Sequence, residues 1–182
     1  MAEFNFVTLW RIEAPLPEVC DAISHCLNWP QWWKGVETVE EIEAGDAAGI
    51  GSLQRFTWKG PLPYRLTFDI RVIKIVPLQF LEGHASGELE GVGCWHLSHC
   101  GGVTSVRYEW QVRTTRHWMN LLAPIAKPLF KWNHDQLMRQ GEKGLAQMLN
   151  ARPNAPPGQA AAQHVRQPLP HINQDAAVDS NR

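Results

Sequence analysis

The sequence predicts an α+β domain: a curved antiparallel sheet of about seven strands, two short helices after the first strand, and a long C-terminal helix packed across the sheet. Three observations predict it. Residues 4–14, FNFVTLWRIEA, alternate and carry the β-branched and aromatic side chains of a strand. Between Val36 and Thr114 similar runs follow one another, broken at AGDAAGIG, KGPLP, VP, Gly87 and HCGG, and no helical period intervenes. From Phe130 onward, His134, Leu137, Met138, Gly141, Leu145 and Met148 recur at spacings of three and four, which draws one apolar face along a helix.

Each element has a local reason. After the first strand a helix is predicted from about Pro15 to Cys26, with its prolines confined to the start and Val19, Ile23 and Cys26 at helical spacing. The next stretch, NWPQWWKG, holds three of the chain's nine tryptophans. Pro30 suits a first turn and Gly35 a stop, so Trp29, Trp32 and Trp33 fall at i, i+3 and i+4 on one side of a very short helix. That spacing suits a wedge sealed against the sheet edge better than an open aromatic box. The six runs from Val36 to Thr114 form an antiparallel meander. The last helix spans about His117 to Leu149, and Pro124 and Pro128 are expected to kink or split its first turns. The folded domain is therefore assigned to residues 1–149. Residues 150–182, rich in Pro, Gln, Asn and Ala and free of aromatic residues, are expected to be a disordered tail.

Composition narrows the function classes. With 17 Lys+Arg against 18 Asp+Glu the net charge is −1, and no basic block is present to neutralise a run of phosphates, so no nucleic-acid partner is expected. The opening MAEFNFVTLW has neither a basic leader nor an apolar core of a signal peptide, and no apolar stretch reaches the roughly 18 residues of a membrane span. A cytoplasmic protein without stable membrane insertion is the expectation; its oligomeric state is not set by the pattern. The four cysteines, Cys20, Cys26, Cys94 and Cys100, are read as reduced thiols. Cys94, His96, His99 and Cys100 have the residue types of a zinc site, but they are divided between a strand and the HCGG turn at unsuitable spacings, so neither metal nor cofactor is expected.

The element order, the tryptophan-rich second helix, and the stretches ASGELEGVGCW, VRYEWQVRTT and FKWNHDQLMRQGEKGL together resemble the START-like superfamily, also called SRPBCC, and within it the bacterial polyketide cyclase/dehydrase-like members. The resemblance covers about residues 4 to 149 and implies the helix-grip fold, with a cavity between sheet and long helix that takes apolar or aromatic ligands. Lipid carriers, cyclases and hydrolase subunits share this superfamily, so the resemblance leaves the activity open.

Parity along the strands nominates the residues that face such a cavity. Tyr64, Leu66, Phe68, Ile70 and Val72 share one side of their strand, and Val106, Tyr108, Trp110 and Val112 share one side of theirs. Leu81, Gly83, Ala85, Leu89, Gly91, Gly93, Trp95 and Leu97 form the third inward set, whose small residues leave volume for the helix or for a ligand. Phe56 and Trp58 are placed inward and Arg55 outward; the opposite register would aim Arg55 at a ligand's carboxylate or enolate. The candidate ligand-binding residues are thus Trp58, Tyr64, Phe68, Trp95, Tyr108 and Trp110, with Asn133 from the helix. No catalytic residue is assigned; His134, on the apolar stripe, is the one candidate for proton transfer. Three functions compete: binding of a hydrophobic or aromatic small molecule without turnover, a cyclase, aromatase or dehydratase positioned by Tyr64, Tyr108 and His134, and an interaction module whose surface is the tryptophan helix.

Overall fold

The computed structural model describes residues 2–150, except for the side chains of residues 118–126. The expected tail beyond residue 150 lies outside the described residues. Strand β1, Glu3–Ile12, is followed by helix α1, Leu16–Ser24, a 3-10 turn at Cys26–Asn28, and the single-turn helix α2, Trp29–Trp32. The meander then runs through β2 (Val36–Glu43), β3 (Leu53–Trp58), β4 (Leu66–Val76), β5 (Phe80–Gly87), β6 (Leu89–Cys100) and β7 (Val103–Thr114), and helix α3, His117–Met148, ends the fold. The seven strands form one antiparallel sheet in the order β1-β7-β6-β5-β4-β3-β2. Each hairpin of the meander thus pairs with its neighbour, and β1 closes beside β7, where the chain has just returned.

Three local readings are revised. The first helix stops at Ser24, and the tight turn that follows carries Cys26. Trp33 is not part of the short helix: it leaves at φ −105°, ψ 93°, already extended toward β2. Of the kink or split expected at Pro124 and Pro128, the split does not occur: α3 runs as one element from His117 to Met148. Each proline forfeits one main-chain hydrogen bond, and the tightly packed half from Phe130 onward anchors the helix. That packed face ends sooner than its periodicity suggests, because Met148 is exposed while Leu145 and Ala146 are buried.

The tryptophan turn is the keystone between α3 and the sheet. Trp29, Trp32 and Trp33 are all buried, Trp33 completely. The Trp33 indole N–H donates to the carbonyl of Leu137 in α3 at 2.8 Å, and the Trp29 indole shares its N–H between the carbonyls of Ala22 and Ile23 at 3.2 Å. Two glycines of α3 make the close approach possible. A Cβ on Gly141 would begin 2.4 Å from the Trp33 ring, and one on Gly144 only 1.8 Å from the Trp32 carbonyl oxygen. Their removal of side-chain bulk lets the helix backbone sit directly on the tryptophan turn.

The outer face of the sheet is polar and laced with ion pairs between strands. Arg55 forks onto Asp69, its facing residue on β4, with contacts of 2.8 and 3.0 Å. Arg113 on β7 meets Glu90 on β6 at 2.8 Å, and Arg71 meets Glu43 at 2.8 Å. Arg55 therefore points to solvent, as parity predicts, and offers nothing to the interior.

Candidate functional site

A cavity of about 110 Å³ lies between the inner face of the sheet and α3. All eight nominated residues line it: Trp58, Tyr64, Phe68, Trp95, Tyr108, Trp110, Asn133 and His134. Phe4 and Phe6 of β1, Trp29 of α2, and Phe130, Leu137 and Met138 of α3 complete much of the wall. The β1 pair follows from the same alternation, which puts Phe4 and Phe6 on the face of Trp10; sequence reasoning stopped short of dividing that strand.

The wall is a continuous aromatic surface. Trp95 stacks on Tyr108 with ring centroids 4.0 Å apart, Tyr108 on Trp110 at 5.8 Å, and Phe68 leans on Trp110 at 5.9 Å. Facing them, Tyr64 and Phe4 each meet Phe130 edge-on, at 6.3 and 5.8 Å. Such rings present flat faces and polar edges, which suits them to planar apolar guests. The inward glycines do not supply the empty volume, contrary to expectation. A Cβ on Gly93 would lie 2.8 Å from the Trp110 ring and 3.0 Å from the Tyr108 hydroxyl, and one on Gly83 2.5 Å from Ile70. Neighbouring side chains of the sheet lean into that space, so Gly93 is what permits the Tyr108–Trp110 arrangement.

Polar groups in the wall are few. Burial holds the Tyr108 phenol well above its ordinary range and raises that of Tyr64 as well, so both stay protonated and able to donate. Asn133 is buried and its Oδ1 accepts the N–H of Leu62 at 3.2 Å, which pins the β3–β4 loop against α3; Gly60 in that loop packs on the Asn133 side chain. His134 stacks flat on Phe6 at 4.0 Å, and neither ring nitrogen has a hydrogen-bond partner. Its Nδ1 lies 3.7 Å from Asp135 Oδ1, beyond hydrogen-bonding distance. Burial lowers its pKa to about 4, so the imidazole is neutral at physiological pH. The Trp58 indole N–H is likewise buried without a partner.

The other sequence candidates are not assembled into sites. Burial and then the carboxylates of Glu82 and Glu109 raise the Cys94 thiol, His99 is engaged with Thr104 at 3.0 Å, and among the described residues no cluster of three or more His, Cys, Asp or Glu is placed to hold a metal. Burial of Trp29, Trp32 and Trp33 removes the exposed patch on which an interaction module would have rested. Among the described residues no helix is long and apolar enough to cross a membrane.

Solved structures share this architecture. The ZhuI aromatase/cyclase from Streptomyces sp. R1128 superposes with a TM-score of 0.67 at 12% identity, over 82% of this chain and 94% of its own. The chain has the START-like, helix-grip fold. A START superfamily protein from Mycobacterium smegmatis matches this chain at a TM-score of 0.64 and 12% identity, covering 81% of it and 97% of the other. Ginseng major latex-like protein 151 from Panax ginseng matches at 0.61 and 7%, over 81% and 97%. At such identities the likeness is one of fold. No protein-family model matches the sequence of this chain, and no curated protein matches it closely enough to count as a relative.

Proposed function

We propose that this START-like protein binds a hydrophobic, ring-containing small molecule in the cavity beneath α3. The observation that carries the reading is the wall itself: aromatic rings on both sides of an internal space, with protonated tyrosines and an unpartnered neutral histidine among them. A site of this make-up gains from burying apolar area and orients its guest through a few polar contacts. Size sets the class. A cavity of roughly 150 Å³ holds a benzene ring, so the 110 Å³ present here is on the scale of a single ring, admitted by a small adjustment of the lining side chains. A larger guest requires displacement of side chains such as Tyr64 and Phe130, which meet across the space. Protein purified without detergent and examined by native mass spectrometry is expected to carry a bound mass that organic extraction releases. A homogeneous empty protein that also fails to take up any added aromatic compound would refute the reading.

One observation favours a second reading, turnover of a polyketide-like substrate. His134 presents an unprotonated imidazole, a weak base at a pKa of about 4, Tyr108 is protonated and able to donate to a carbonyl oxygen, and both line one cavity. The two roles together are those of an enolisation followed by ring closure and loss of water. Retention of full conversion of a β-polyketone in a His134→Gln, Tyr108→Phe double variant would exclude it.

A further inference from the structure

Strand β1 lies at an edge of the sheet, paired with β7 alone. Two hydrogen bonds fix the direction of its backbone. The Ala2 carbonyl accepts the Thr114 N–H of β7 at 3.1 Å, whereas the Arg11 N–H turns away from the sheet and donates to the Glu142 carboxylate of α3 at 3.1 Å. The pairing with β7 runs without a slip from Glu3 opposite Arg113 to Ile12 opposite Thr104. Even-numbered residues therefore turn their main-chain groups to β7, and odd-numbered residues turn theirs to the open edge. Glu3, Asn5, Val7 and Leu9 present a row of donors and acceptors there, and the side chains of Val7 and Leu9 stand 65% and 56% exposed. The opposite edge is protected: β2 carries Glu37, Glu40, Glu41 and Glu43 and two irregularities in register. Between Glu3 and Arg11, β1 carries no charge, proline or bulge.

We propose that β1 pairs antiparallel with β1 of a second copy of this chain, centred on Val7, so that one sheet runs through a twofold dimer. Hydrogen-bonded pairing across this edge sets odd residues opposite odd residues, and charge selects the register. Centring on Val7 places Glu3 opposite Arg11 of the second copy at both ends, and Asn5 opposite Leu9. Arg55, Arg71, Arg107 and Arg113, the other arginines of the sheet strands, are paired with Asp69, Glu43, Glu109 and Glu90. Arg11 and Glu3 have no ion-pair partner among the described residues. Each supplies what the other lacks once a second copy is present, and facing opposite charges favour a pairing that like charges oppose. Twofold symmetry makes each contact twice. Arg11 keeps its N–H on Glu142 and contributes its carbonyl to the new ladder.

Sedimentation velocity of the full chain across a concentration series tests the proposal. A reversible monomer–dimer equilibrium is expected. Glu3→Arg or Arg11→Glu alone weakens it at least about tenfold, since each creates two like-charge pairs, and the double swap restores it to within about threefold. Val7→Pro abolishes it without unfolding the sheet, because the Val7 N–H is not part of the β1–β7 ladder and proline is tolerated on such an edge; Val7→Lys does the same by charge. A chain that stays monomeric to about 500 μM, where a dimer with a dissociation constant of up to about 100 μM is well populated, overturns the proposal. So does a dimer indifferent to both Val7 variants, or a double swap that fails to rescue. Monomers whose Asn5, Val7 and Leu9 amides are protected from hydrogen exchange would give the edge to residues 151–182 instead, and overturn it as well.

Discussion

His134 shows how one side chain couples the cavity to stability. The folded state holds its pKa at about 4, against 6.5 for the free side chain, because the protonated ring is penalised by burial beside Phe6. The unfolded chain therefore binds the proton more readily, and this contribution to stability is complete above pH 6.5 and lost as pH falls toward 4. The shift corresponds to about 3 kcal/mol in all. Urea midpoints between pH 7 and pH 4 are predicted to fall more steeply for the wild type than for His134→Phe, which keeps the stack without a titrating group; parallel curves would contradict the assignment. The identity of this residue as a cavity lining was legible in the helix stripe. Its missing partner was not, since two unbonded nitrogens are a property of the packed environment and leave no mark on the local pattern.

At the level of elements, strand faces were readable because alternation is a strict period of two, so one secure aromatic on each strand settles the rest. Phe68, Tyr108 and Trp110 played that part for β4 and β7, and both strands turn those residues into the core. What alternation does not report is contact between elements. The inward glycines looked like empty volume above the sheet, yet Gly93 is covered by Trp110 and Tyr108, and the glycines that admit the helix are Gly141 and Gly144 on α3 itself. Gly144 gives the sharper test. In an ordinary helix Gly→Ala gains about 1 kcal/mol, but here the new methyl group would meet the Trp32 carbonyl, a backbone atom with nowhere to retreat. Gly144→Ala is predicted to destabilise the protein by about 2 kcal/mol or more, measured by chemical denaturation, and a stabilised variant would show that α3 does not rest on the tryptophan turn.

For the whole molecule, the sheet, the tryptophan wedge and α3 act as a frame that holds an aromatic cavity open where packing would otherwise close it. The three tryptophans of residues 29–33 divide this labour: Trp29 reaches the cavity wall, while Trp32 and Trp33 fasten the helix above it. Direct titration of the purified protein with phenol, a one-ring guest, followed by calorimetry, tests the cavity most directly. Saturable one-to-one binding with a dissociation constant on the order of 100 μM is predicted for a one-ring guest, weakened in Tyr108→Phe and lost when Leu66→Trp fills the space. A folded wild-type protein that binds neither this compound nor other benzene-sized aromatics at millimolar concentration would contradict it.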